Sequence, residues 1–238
     1  MTEGTIQPGA VPCINCLVYG PPKSGKTRFG YSFPDPYLIV TERPPNGLIS
    51  DKPIPYVWVH TYAETRQVLT EIKSGSRAAN AKSIILDSES DMTDMVKAAA
   101  LQSTGEKKLS FNSWGLAIDY LRETIRTLVR DIGTKRHVCV IARSQLDKDE
   151  VTGAITGSPE TIGKFSQAIG GQFDLLFFSE QYIDPQGKKQ WRLHTSTFKN
   201  WFHAGDGLGG FLNNEEPNDF NVIYAKICKG SEAKLKNK

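Results

Sequence analysis

Gly20-Pro21-Pro22-Lys23-Ser24-Gly25-Lys26-Thr27 is the stretch on which the reading of this chain turns. It fits G-x-x-x-x-G-K-[ST] at every fixed position, the pattern of a phosphate-cradling P-loop. Each residue type has a physical reason. Gly20 and Gly25 let backbone N–H groups turn inward around phosphate oxygens. The helix expected to open behind them points its positive end at the same anion. Lys26 is placed to reach the β- and γ-phosphates, and Thr27 to bind Mg²⁺. Pro21, Pro22, Lys23 and Ser24 complete the loop, and Arg28 follows it, so all of Gly20 to Arg28 enters the expected nucleotide-contact set. The bland reading is a mere glycine turn. Context argues against it, because the match follows a short apolar run, 14–19, and opens a segment that reads as a helix.

Working outward, residues 37–40 and 57–59 form further short apolar runs, separated by Pro44, Pro45, Asn46 and Gly47. Thr61, with Glu64 three residues on, has the form of a capping box. Val68, Leu69 and Ile72 give the helix after it an apolar face. Residues 83–86 make another strand ending at Asp87. Trp114, Ile118, Leu121, Ile125, Leu128, Val129 and Ile132 recur at helical spacing and predict the longest helix. Residues 138–142 make a fifth strand. Short apolar strands alternating with helices imply an α/β fold with a mostly parallel sheet covered on both faces.

In such a sheet the carboxyl ends of the strands share one edge. Asp87 closes an apolar strand, the Walker B form, and is expected beside the P-loop holding Mg²⁺; its bland reading is a turn cap. Hydrolysis also needs a group that orients or deprotonates water. Glu42 follows the strand at 37–40 and is the first candidate. Glu89 is the rival, although it can equally open the next helix. Arg143, Ser144 and Gln145 follow the fifth strand, where a polar group can sense the γ-phosphate. Arg143 and Gln145 are the candidates, with plain loop residues as the alternative.

The chain has 238 residues, enough for one domain with a sizeable core, and 39% are hydrophobic. The expected division is a single domain over 1–228 and a basic, flexible tail over 229–238. The net charge of +3 is ordinary surface charge and by itself weak support for a nucleic-acid partner. Without a long apolar run or a leader-like start, the expectation is no membrane contact and work in the cytoplasm, that of the host cell were the chain phage-encoded. Cys13 and Cys16 form a CxxC within the first strand. Cys139 and Cys228 are isolated, so buried thiols are favoured over zinc or redox chemistry.

The C-terminal part changes character. Residues 145–171 are polar and Gly/Thr-rich without periodicity and read as a long loop. Residues 173–183 and 190–195 flank the turn Asp184-Pro185-Gln186-Gly187, which predicts a C-terminal β-hairpin. No N-K-x-D motif for guanine is present, which argues for ATP as the nucleotide.

The P-loop, Leu38-Ile39-Val40-Thr41-Glu42 and Ile84-Ile85-Leu86-Asp87-Ser88, in this order, resemble the phage-type nucleotide-binding ATPases with a RecA-like core, which act in single-strand annealing and recombination. The resemblance spans about residues 12–205. It implies a Mg²⁺-dependent ATPase working on single-stranded DNA as a homo-oligomer, with a single-strand-binding protein as a further partner. It makes Glu42 the catalytic carboxylate and Arg143 or Gln145 the γ-phosphate sensor. It gives the DNA contact to about 147–171, where Lys148 and Lys164 face Asp147, Asp149, Glu150 and Glu160, and only Phe165 can stack on a base. Lys199 becomes a residue reaching a neighbouring subunit's nucleotide, although Trp201 stands where the family carries a second basic residue. Two other classes stay open: a P-loop phosphotransferase on a small substrate, and a nucleotide-dependent assembly protein without a DNA role.

Overall fold

The computed structural model describes residues 13–44, 52–148, 150, 152–163, 165–201 and 204–236. Six consecutive strands of the sheet run parallel: β3 (Tyr56–Trp58), β2 (Pro36–Val40), β4 (Ser83–Asp87), β5 (His137–Lys148), β1 (Asn15–Gly20) and β7 (Leu175–Ile183), in that spatial order. β5 thus lies between the strand that delivers the P-loop and the strand that delivers Asp87. β8 (Lys189–His194) and β10 (Glu215–Pro217) extend the sheet antiparallel beyond β7, and the short β9 (Gly205–Asp206) pairs antiparallel with the start of β7. The α/β class with a mostly parallel sheet flanked by helices is therefore the observed one.

Side chains along the central strands alternate between two buried layers, as a sheet covered on both faces requires. Leu17, Tyr19, Ile39, Ile84, Leu86, Val138 and Val140 face α2 (Tyr62–Ser74), α3 (Glu89–Thr104) and α4 (Phe111–Arg126). Val18, Leu38, Val40, Ile85, Cys139 and Ile141 face α1 (Lys26–Tyr31) and α6 (Phe220–Lys236), which contribute Phe29, Phe220, Ile223 and Ile227. Cys16 belongs to this second layer and pairs in register with Cys139. Cys13 lies just before β1 instead of within it.

Thr61 and Glu64 form the capping box of α2, and Gly75 ends that helix at φ 83°. α4 continues as a π-helical segment, Thr127–Ile132, so the apolar periodicity read over 114–132 is one continuous rod. The hairpin around Asp184 is present, with the carboxylate accepting from Gln186 N and Lys188 N.

Two expectations are corrected. Residues 145–171 are no open loop: β5 runs on to Lys148 and pairs antiparallel with β6 (Ile155–Pro159), followed by the short α5 (Phe165–Ala168) and a 3-10 turn, Ile169–Gln172. The outer part of this hairpin stands off the core, with Leu146 62% and Ile155 45% exposed, and the buried base of β6 is Gly157, Ser158 and Pro159, so no apolar alternation marks the sequence. Asp149 and Lys164 lie outside the described residues, as do Pro45, Asn46 and Gly47. Among the described residues, 229–236 form no separate tail but the end of α6 (Phe220–Lys236). Phe220, Ile223 and Ile227 anchor α6, which continues through Gly230 and Ser231 to Lys236. The spacing of those three residues is the signal that would have disclosed α6.

Candidate active site

The P-loop is held from behind by strands far away in sequence. A Cβ on Gly20 would lie 2.5 Å from the Ser179 carbonyl oxygen, so β1 can pass β7 here only as glycine. Ser179 Oγ donates to Ser24 O at 2.6 Å, and Trp191 Nε1 on β8 donates to Lys23 O at 3.1 Å. Gly25 turns the chain into α1 at φ 95°, a left-handed conformation that suits glycine. The Ser24 hydroxyl is buried without a partner. An orphaned donor inside a loop of inward-turned backbone fits an anion with acceptor oxygens.

Lys26 Nζ reaches back across the loop mouth to Gly20 O at 2.9 Å and Pro21 O at 2.7 Å. Burial lowers its pKa to about 8, against the opposing pull of Asp87 and Glu42. Thr27 Oγ1 donates to Asp87 Oδ2 at 3.0 Å. Asp87 is buried, and loss of solvent raises its pKa, while Thr27 and Lys26 work the other way. A hydroxyl and a carboxylate side by side at the phosphate loop are hard oxygen donors of the kind Mg²⁺ shares with a nucleotide's phosphates, so the residues present fit the ion.

The second rank of the site stands at the ends of β2 and β5. Ser88 Oγ lies 2.9 Å from Glu42 Oε1 and 2.5 Å from Asp91 Oδ2. Hydrogen bonding with Asp91, then burial, raises the Glu42 pKa to about 6. Arg143 faces both carboxylates, with Nη1 3.7 Å from Glu42 Oε1 and 3.6 Å from Asp91 Oδ1. Its Nε donates to Glu160 Oε2 at 2.7 Å. Gln145, two residues further along β5, turns its amide to Asp147 and Ser158 within the hairpin. Of the sensor candidates, Arg143 is the one brought to the Glu42 carboxylate.

Glu89 is fully buried in the first turn of α3. Thr161 Oγ1 donates to its Oε1 at 2.5 Å, its Oε2 has no partner, and burial raises its pKa to about 8. It is sealed from solvent, whereas Glu42 is partly open. Lys199, at φ 51°, holds its ammonium over the Phe198 ring and 4.0 Å from Glu180 Oε1. Trp201 stacks on Phe178 at 4.4 Å and lies against Gly157 of β6, which explains an aromatic residue at this position by packing. The residues missed by sequence reasoning, Ser179, Trp191 and Asp91, carry no local signal, since their roles come from contacts across the sheet.

Among the described residues no helix is long and apolar enough to cross a membrane. No curated protein sequence matches the chain. Among solved structures, the flagellar accessory protein FlaH from Methanocaldococcus jannaschii is similar at 11% identity, over 87% of this chain and 88% of that one, with a TM-score of 0.42. Residues 13–206 match the family described as AAA domain. With its phosphate loop, Asp87 and parallel sheet in place, the chain belongs to that AAA domain family of P-loop proteins.

Proposed function

We propose that this protein hydrolyses ATP with Mg²⁺ and links the state of the nucleotide to single-stranded DNA, acting as a homo-oligomer in phage-type recombination or annealing. One observation carries the reading: Arg143 joins Glu42 and Asp91 at the phosphate edge to Glu160, which directly follows β6. A carboxylate with a pKa of about 6 is ionised at neutral pH and basic enough to orient or deprotonate a water. Lys26 and the loop amides would hold the phosphates, and Thr27 and Asp87 would hold Mg²⁺, which supplies charge neutralisation there. Arg143 then feels any change in charge at Glu42 and passes it to the hairpin through the 2.7 Å contact with Glu160.

A surface beside the hairpin supports the DNA partner. Lys107 and Lys108 are exposed, Phe111 is 98% exposed, and Trp114 lies against Gly163 just beyond β6. Cations beside exposed aromatic surface suit a strand that offers phosphates and unstacked bases. Lys199, its side chain 69% exposed, is available to a neighbouring subunit. The deciding experiment compares ATPase rates with and without single-stranded DNA at two salt concentrations, beside Lys26→Ala. Stimulation that fades with salt and is absent in Lys26→Ala is expected. Hydrolysis indifferent to DNA would remove the DNA partner from the reading.

A further inference from the structure

Beside the P-loop lies a polar group that the phosphate chemistry does not use. Asn218, just before α6, has both amide atoms, Nδ2 and Oδ1, buried without a hydrogen-bond partner. A buried donor and acceptor left unpaired together are costly, so such a pair points to a ligand edge that completes it. The amide is packed against the loop: a Cβ on Gly25 would lie 3.1 Å from Asn218 Nδ2 and 2.8 Å from the Trp191 ring. The Arg28 guanidinium sits 5.3 Å from the centroid of the same indole. A cleft of about 1020 Å³ begins at Arg28 and Asn218 and runs along α1 toward Tyr37, Pro55 and Ala81, with the Trp191 ring outside its lining. A cleft of that size accommodates a nucleoside.

We propose that Asn218, Trp191 and Arg28 form the base subsite of the nucleotide and that the Asn218 amide selects adenine. The inference rests on the P-loop reading, since phosphates seated at Lys26 put the nucleoside end beyond the loop. An asparagine amide offers one donor and one acceptor, and adenine answers with its N7 acceptor and N6 amino donor. Guanine presents two acceptors, N7 and O6, on the same edge, and Oδ1 would stay unpaired. On its other edge guanine needs an acceptor for N1–H and the 2-amino group. The nearest carboxylate in sequence, Asp219, already uses Oδ1 to accept the Asn221 N–H at 2.9 Å. Trp191 supplies a flat apolar surface for either purine, and Arg28 adds a stacking cation.

The test is calorimetric binding of ADP, GDP and pyrophosphate to the full chain, as wild type, Asn218→Leu, Asn218→Asp and Trp191→Ala. Wild type is expected to prefer ADP over GDP about tenfold or more, the scale of one bidentate base contact. Asn218→Leu should bring ADP down to the GDP level and leave pyrophosphate unchanged. Asn218→Asp, which keeps the shape and loses the donor, should move the preference toward GDP. Trp191→Ala should weaken both nucleotides more than pyrophosphate. An unchanged ADP-to-GDP ratio in both Asn218 variants, with binding that still depends on Lys26, overturns the base assignment alone. Failure of wild type to bind any of the three ligands overturns the P-loop reading and this inference with it.

Discussion

Thr27 Oγ1 and Asp87 Oδ2 meet at 3.0 Å although 60 positions separate them in the chain. The contact closes the two halves of the site, one from the end of β1 and one from the end of β4, across the intervening β5. Asp87 is buried there with a raised pKa, a carboxylate placed where water cannot solvate it and a cation can. Asp87→Asn is therefore expected to lower kcat by about 10²-fold or more, the scale of losing one group that stabilises transition-state charge. Without ligand its melting temperature should equal or exceed that of wild type, because a buried charge has gone. The rise in melting temperature with Mg²⁺ and nucleotide should vanish. Thermal scans with and without ligand check both signs.

The pKa of Glu42 near 6 and that of Lys26 near 8 set a window for catalysis. Glu42 must be ionised to act on water, so kcat/KM should rise with pH through about 6. Lys26 must be protonated to hold phosphate, so the same parameter should fall through about 8. The acidic limb belongs to the Glu42–Asp91 pair jointly, so Asp91→Asn should displace it. Glu42→Gln should keep nucleotide binding and lose about 10²- to 10⁴-fold in rate. A flat profile between pH 5.5 and 8.5 would remove both assignments.

Glu89 makes a prediction about stability. Its pKa is about 8 in the folded protein against 4.5 unfolded, so between those values the folded state holds a proton that the unfolded state has released. Stability contributed by this group is present below pH 4.5 and declines as pH rises toward 8. At pH 7 the penalty is about 3 kcal/mol. Glu89→Gln should raise the melting temperature at pH 7 to 8, with the gain shrinking toward pH 4.5. A pH-independent difference would mean that the carboxyl does not titrate in this way.

Gly157 carries the hairpin's anchorage. A Cβ there would fall 2.0 Å from the Trp201 ring, and Gly157 N donates to Asn200 O at 2.7 Å. Gly157→Ala must displace Trp201 from its stack on Phe178 or move β6. DNA-stimulated hydrolysis should fall while the basal rate stays near wild type, because the P-loop is braced separately by Ser179 and Trp191.

Lys107, Lys108 and Phe111 test the DNA surface. Replacing both lysines with alanine should reduce the slope of log affinity against log salt by about 1.4, at roughly 0.7 per phosphate contact on a single strand. Phe111→Ala should weaken binding by about 1–3 kcal/mol at every salt concentration, the scale of one base–aromatic stack. Phe111 is 98% exposed, so stability should not change. Fluorescence anisotropy with a labelled oligonucleotide across a salt series gives both numbers.

The sequence by itself determined whatever chemistry packs into a short window. The P-loop residues from Gly20 to Thr27, the apolar strands, the capping box at Thr61 and the turn at Asp184 are local patterns, and dihedral preference and burial periodicity write them directly into the residues. That parallel strands share their carboxyl edge was enough to put Asp87 beside the P-loop, and the fold then brings it to Thr27. Only the tertiary structure decided the rest. The β5–β6 hairpin leaves no periodic trace because its outer half faces solvent and the buried residues at its base, Gly157, Ser158 and Pro159, are not an apolar alternation. Ser179 and Trp191 brace a loop more than 150 residues upstream, at separations of 155 and 168. Whether Arg143 or Gln145 meets Glu42 depends on how far along β5 each sits and on the partners within reach, the Glu42 and Asp91 carboxylates for Arg143 and the Asp147 and Ser158 side chains for Gln145. Two groups with nearly the same sequence signal are separated by the environment that the folded sheet builds around each of them.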